Sequence, residues 1–164
     1  MVLQDIKQLF AYNTWANNKL FEAVAQIPSE QYLQDMKSGH GGIHGTLTHI
    51  VAGQKMWLSR WVGKPDAKPL HGEDVASLAE LQSLWQTVDE QMHTLLERMT
   101  DSHLHETQTV TSMKGEVFTH TFSQMMQHLV NHSSFHRGQL ATMIRQLGIR
   151  PPQTDLIAYY RLKI

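Results

Sequence analysis

Residues 119–148, THTFSQMMQHLVNHSSFHRGQLATMIRQLG, carry one uninterrupted apolar face, and that face constrains the fold more than any other feature of the chain. Phe122, Met125, Met126, Leu129, Val130, Leu140, Met143, Ile144 and Leu147 recur at steps of three and four, which predicts one long helix over 119–148. His132 and His136 fall in the same stripe. The series 129, 132, 136, 140, 143 keeps to one face, so both imidazoles point where the leucines point. A core histidine satisfied by neighbouring side chains would explain one such residue well. Two at i, i+4 are harder to bury unpaired, whereas such a pair can hold a single transition metal, with Zn–N near ~2.0–2.1 Å. A third ligand must then come from another element.

Three further amphipathic helices are expected. The first covers residues 3–25, with Leu3, Ile6, Leu9, Phe10, Trp15, Leu20, Phe21 and Val24 as its stripe and no Gly or Pro inside. A short turn follows at 29–33, with Ser29 as a candidate cap. After the flexible joint Ser38-Gly39-His40-Gly41-Gly42, Ile43 to Val62 forms the second long helix, stopped by Gly63-Lys64-Pro65. Residues 63–76 read as a loop. Ser77-Leu78-Ala79-Glu80 matches a capping box and opens the third, which runs to about Met99. Residues 104–118 change character. LHETQTV and EVFT are rich in β-formers and flank Ser112-Met113-Lys114-Gly115, which predicts a hairpin leaning on the helices. Past Gly148 and Pro151-Pro152, Asp155 stands at the head of a last short helix, 156–162. The expected fold is all-α: a four-helix bundle in one domain, 1–164, with a small hairpin between helices three and four.

Composition narrows the function classes. A chain of 164 residues with 41% apolar and 18% charged residues is globular. Net charge is −1, which lacks the footprint of a nucleic-acid or anionic-membrane binder. The start MVLQDIKQLF does not read as a signal peptide and no run approaches a membrane span, so a cytoplasmic protein is expected. There is no cysteine, which excludes disulfides, thiolate sites and cysteine nucleophiles. Histidine is the outlier, with 11 residues.

Among these, His49 is the best third ligand, because it lies between Leu47 and Ile50 on the second long helix. His40 and His44 sit in or near the Gly-rich joint, where exposure is expected. His128 is too far along the helix from His136, about 12 Å of rise, to share one ion, and reads as a neighbour of the site or a surface residue. His71, His103, His105 and His120 read as surface. A di-iron bundle would need paired Glu-x-x-His motifs, and only Glu90-x-x-His93 is present. A zincin would need His-Glu-x-x-His, and His132-Ser-Ser-Phe-His136 lacks the glutamate. Three imidazoles without a carboxylate leave the ion its full charge, which suits activation of water or of a thiol.

Four stretches together resemble the DinB family, the DNA-damage-inducible, YfiT-like four-helix-bundle proteins of bacteria: Tyr12-Asn13-Thr14-Trp15-Ala16-Asn17, Ile43-His44-Gly45-Thr46-Leu47-Thr48-His49-Ile50, Asn131-His132 to His136-Arg137-Gly138-Gln139, and Pro151-Pro152-Gln153-Thr154-Asp155-Leu156. The resemblance implies a divalent metal, zinc or nickel, on one histidine of the second long helix and two of the last. Those positions are His49, His132 and His136. It also implies homodimers. The residue before the last ligand is often histidine in such proteins and is Phe135 here. From the motif, Asn131 and Gln139 are expected to orient ligands or a bound water. Arg137 is expected to meet an anionic substrate or a salt-bridge partner on another helix. Gly138 is expected to admit a neighbouring helix.

Relatives of this superfamily include thiol-dependent S-transferases and a mycothiol-dependent maleylpyruvate isomerase. The resemblance thus implies an enzyme that uses its ion and a low-molecular-weight thiol, or water, against a small-molecule substrate. The alternatives are a non-catalytic metal-binding stress-response protein and a helical interaction module without metal.

Overall fold

The last long helix begins three residues later than its apolar stripe predicts. In the computed structural model, which describes residues 1–64, 68–111 and 115–162, this helix spans Phe122–Gln146 and closes an order of α1 (Leu3–Val24), α2 (Ser29–Leu33), α3 (Ile43–Trp61), α4 (Leu78–Arg98), β1 (Thr107–Thr111), β2 (Val117–Thr121), α5 (Phe122–Gln146) and α6 (Leu156–Arg161). Thr119, His120 and Thr121 belong to β2, where they pair antiparallel with Thr109, Gln108 and Thr107. Threonines favour the pleated surface, and two of them meet across it, Thr109 Oγ1 to Thr119 Oγ1 at 2.9 Å. Thr121 then serves twice. Its Oγ1 accepts the amide of Gln124 (3.3 Å) while Gln124 Oε1 accepts the amide of Thr121 (3.0 Å), so the last residue of the strand caps the helix.

The remaining ends follow the sequence with small shifts. Ser77 Oγ accepts the amide of Glu80 (3.2 Å), but the Glu80 carboxylate reaches one residue further back, to the amide of Ala76 (2.8 Å). Pro28 takes the cap position of α2, and Ser29 is its first helical residue. Asp155 stands at the cap of α6 without a side-chain bond to it. A 3-10 turn over Asp101–His105 takes the first part of the segment expected as strand. Of the expected hairpin turn, residues 112–114 lie outside the described residues, as do 65–67 of the loop after α3. Gly63 and Gly148, at φ 72° and 78°, end α3 and α5 in the same way. Each donates to the carbonyl three residues back, and the next residue donates to the one five back, a Schellman stop that glycine adopts without strain.

The fold is an all-α bundle with a small hairpin between its third and fourth long helices, α4 and α5. α1 packs against α4 and α5, and α3 packs against the same two, so α1 and α3 occupy opposite corners. The apolar interior falls into two clusters. One gathers Phe10, Tyr12, Ala16, Leu58, Trp61, Met125, Leu129 and Tyr159. The other gathers Leu20, Phe21, Leu47, Ile50, Trp85, Leu140 and Ile144. Between them, on three helices, lies a buried polar layer: Asn13, Asn17, Gln54, Ser133, His136 and Arg137. No helix among the described residues is long and apolar enough to cross a membrane.

Candidate metal centre

The polar layer contains His136, and two partly buried histidines join it there. α3 supplies His49 and the neighbouring α5 supplies His132 and His136. The Nε2 atoms of His49 and His132 lie 3.0 Å apart. Ring centroids are 4.4 Å apart for His132 and His136 and 4.5 Å for His49 and His136. The three residues singled out from spacing therefore meet. Room for them comes from Gly53, one turn after His49. A Cβ there would stand 3.2 Å from His132 Cε1, so any side chain would crowd the ring.

A fourth imidazole joins them. His40, expected to be exposed, is partly buried and stacks on His49 with centroids 3.9 Å apart. The coordinating nitrogens of His40, His49 and His136 all lie within 4.8 Å of one another. These three form the mutual group, and His132 joins it through its Nε2 contact with His49. Two nitrogens at ~2.05 Å from one tetrahedral ion stand about 3.3 Å apart, so the 3.0 Å contact is close to the spacing two ligands of one ion would have. Among the described residues no aspartate or glutamate belongs to the cluster.

The electrostatics favour neutral rings. Burial first, then the charges of His40 and His136, lowers His49 to about 4. Burial, followed by His136, His49, His128 and His40, lowers His132 to about 3. His40 is lowered as well, by burial and then by His136. Neutral imidazoles keep the lone pair that a metal needs. In His136 the lone pair can be placed. Nδ1 lies 2.8 Å from Gln139 Oε1, an acceptor, so Nδ1 carries the proton and Nε2 is left to ligate. Converging imidazole nitrogens, a ring oriented from behind and, among the described residues, no carboxylate in the cluster make this donor set fit a divalent ion.

The other motif residues hold this centre in place. Arg137 is 1% exposed, so it is neither an anion site nor half of a salt bridge. Its Nη1 donates to Asn13 Oδ1 (2.6 Å) and Asn17 Oδ1 (2.9 Å), and its Nη2 to Tyr12 Oη (3.0 Å) and Ser134 Oγ (2.7 Å). Tyr12 in turn donates to the carbonyl of Thr154 (2.9 Å). Three of the four motif stretches thus converge on one guanidinium. The fourth supplies His44, which is not exposed either. Its Nε2 donates to the Gly72 carbonyl (2.9 Å), and its Nδ1 therefore accepts from Tyr32 Oη (2.7 Å), clamping α2 and the 72–74 turn onto α3. Burial pushes the Tyr32 phenol up to about 12.

Two expected helpers are not helpers. Asn131 is exposed, and nothing lies within 4 Å of a Cβ built at Gly138. The close approach is at Gly53 instead. His128 is exposed, 6.0 Å from the rings of both Trp57 and His132. Gly53→Ala is expected to displace the His132 ring and weaken metal binding about tenfold, with helix content unchanged, as competition titration and circular dichroism will show.

Two cavities lie near the cluster, the smaller lined by two of its histidines and the larger by none of them. One of about 680 Å³ lies between the hairpin and α3/α5, lined by Met56, Trp57, Arg60, Phe118, Met125 and His128 among others. The other, about 360 Å³, is lined by His40, His44, Thr48 and His49 with the 70–73 segment.

The family model for the DinB family matches residues 2–163. The chain is similar to Protein DinB of Bacillus subtilis (strain 168), 26% identical over 159 residues that cover 93% of this chain and 91% of that protein. It is also similar to the uncharacterized protein YizA of the same organism, 25% identical over 150 residues and 92% of each chain.

Proposed function

The chain belongs to the DinB family, and from that premise we propose a metal-dependent enzyme in which His49, His132 and His136 hold a divalent ion, zinc or nickel. The reaction we infer is attack by a low-molecular-weight thiol, or by water, on an electrophilic small molecule. The observation that carries the reading is the meeting of the His49, His132 and His136 rings, with burial favouring the neutral form of the first two and, among the described residues, no carboxylate in the cluster. A bound ion supplies a Lewis acid that favours loss of the thiol or water proton.

The chain's own residues do the rest. Gln139 fixes the His136 tautomer. Gly53 makes space for His132. The 680 Å³ cavity begins one helical turn from His132 and has the size and apolar lining of a small-molecule site. Arg60, stacked on Trp57 at 5.2 Å, is a cation at its wall for a substrate's negative group. The same reading carries a homodimer, checked by sedimentation equilibrium.

The alternative is a non-catalytic metal-binding stress-response protein, and the nearness of His40 is the observation on its side, since closed four-ligand sites are structural. A panel of small thiols with 1-chloro-2,4-dinitrobenzene, and of activated esters for hydrolysis, tests between them. Metal-loaded protein is expected to accelerate one of these reactions, and His132→Ala to abolish the acceleration. Metal-loaded protein with no rate above background in either panel would favour the non-catalytic reading.

A further inference from the structure

We propose that His40 is a fourth protein ligand, delivered by the loop between α2 and α3, so that four imidazoles close the resting metal site. The inference rests on the metal reading above and extends it to a residue outside the helices.

Three observations carry it. The first is position. The coordinating nitrogens of His40, His49 and His136 lie within 4.8 Å of one another, and the His40 ring stands edge-on to His136 at 5.2 Å; its stack on His49 opens by rotation of the side chain when both take one ion. The second is that the ring has no other occupation: among the described residues it makes no hydrogen bond, whereas His44, four residues on, uses both its nitrogens. The His40 nitrogens are not buried and keep contact with solvent, so a lone pair is open to an ion.

The third is that the loop is built to hold His40 there. The Gly41 carbonyl accepts the amide of Met36 (2.7 Å), the Gly41 amide donates to Ser38 O (3.0 Å), and the Gly42 amide donates to His40 O (3.1 Å). The loop then packs hard against the start of α3. A Cβ at Gly45 would overlap the His40 carbonyl oxygen, and one at Gly42 would overlap the carbonyl of Gln34. Both neighbours are backbone, so neither can yield as a flexible side chain would. Glycine at 45 permits the approach that brings His40 over His49.

Four neutral nitrogen donors suit a tetrahedral ion of the zinc type. A small ligand arriving through the 360 Å³ cavity, whose wall includes His40, would compete with that imidazole for one place.

The test loads the untagged full chain with Co(II) and compares wild type, His40→Ala and Gly45→Ala by visible absorption and by competition for the ion. Wild type is expected to show the intense bands of four-coordinate cobalt. His40→Ala is expected to keep one ion per chain, bind it at least about tenfold more weakly and show weaker, shifted bands. Added azide should perturb the His40→Ala spectrum at lower concentration than the wild-type one. Gly45→Ala, which keeps every imidazole but moves the His40 backbone, should shift in the same direction. His40→Gln gives the same reading if alanine loosens the loop. Equal affinity and superimposable spectra for wild type and the His40 variants would overturn the proposal and leave the three helix-borne ligands standing. Absence of cobalt uptake by wild type would overturn both.

Discussion

Replacing Arg137 with alanine is expected to lower the unfolding free energy by about 3 kcal/mol or more, among the largest effects of any single substitution outside the histidines. The guanidinium makes four hydrogen bonds, all to neutral acceptors. Its removal leaves the Oδ1 atoms of Asn13 and Asn17, both buried, without their donor, at roughly 1–3 kcal/mol each, and opens a cavity. Arg137→Met refills the volume without restoring the bonds and is expected to lose less. Burying a charge with no counterion is itself unfavourable, and burial lowers the Arg137 pKa for the same reason. The Nδ2 atoms of Asn13 and Asn17 also lack partners among the described residues. The layer is therefore a poor device for stability and a good one for register: it fixes α1 and the 151–155 segment against α5 at the turn that carries His136. Equilibrium urea denaturation measures the loss, and a cost below about 1 kcal/mol would show that the network holds nothing.

The second large effect is the coupling of metal, pH and stability. In the metal-free fold, burial and neighbouring imidazoles hold His49 at about 4 and His132 at about 3, while the unfolded chain titrates near 6.5. The unfolded state therefore binds more protons below pH 6.5, and the metal-free fold loses stability as pH falls from about 6.5 towards 4 and 3. Each histidine contributes a slope of at most about 1.4 kcal/mol per pH unit, reduced by partial exposure. Above pH 6.5 neither contributes a slope. A bound ion needs the same deprotonated rings. At a hundredfold excess of free zinc over Kd it adds about 2.7 kcal/mol at neutral pH, and this gain disappears on acidification. His132→Ala should abolish most of the zinc-dependent rise in Tm and flatten the acid limb. Melting curves from pH 4 to 8, with zinc and with chelator, display both.

The bundle was legible in the sequence because its determinants are local. Stripes at steps of three and four, Ser77 before α4 and glycines after α3 and α5 need only neighbours along the chain. The meeting of the helical histidines was legible: His49 sits between Leu47 and Ile50, and His132 and His136 share a seam with leucines. What failed was what another element supplies. His40 and His44 lie beside four glycines, and such a segment reads as exposed joint; only the approach of the loop over Gly45 shows that it is folded onto α3. Arg137 reads as a charged residue on a helix, and nothing in α5 reveals that α1 presents amide oxygens rather than carboxylates. Gly138 and Gly53 look alike in sequence, yet the first faces open space and the second faces the His132 ring. The start of α5 was misplaced because Thr121 ends a strand and caps a helix at once.

Whether the histidine cluster holds an ion is decided by elemental analysis of protein purified without an affinity tag or nickel column, with His132→Ala prepared alongside. About one zinc or nickel per wild-type chain is expected, and little or none in the variant. An ion-free wild-type chain that takes up none on titration, or a variant that retains its ion in full, would contradict it.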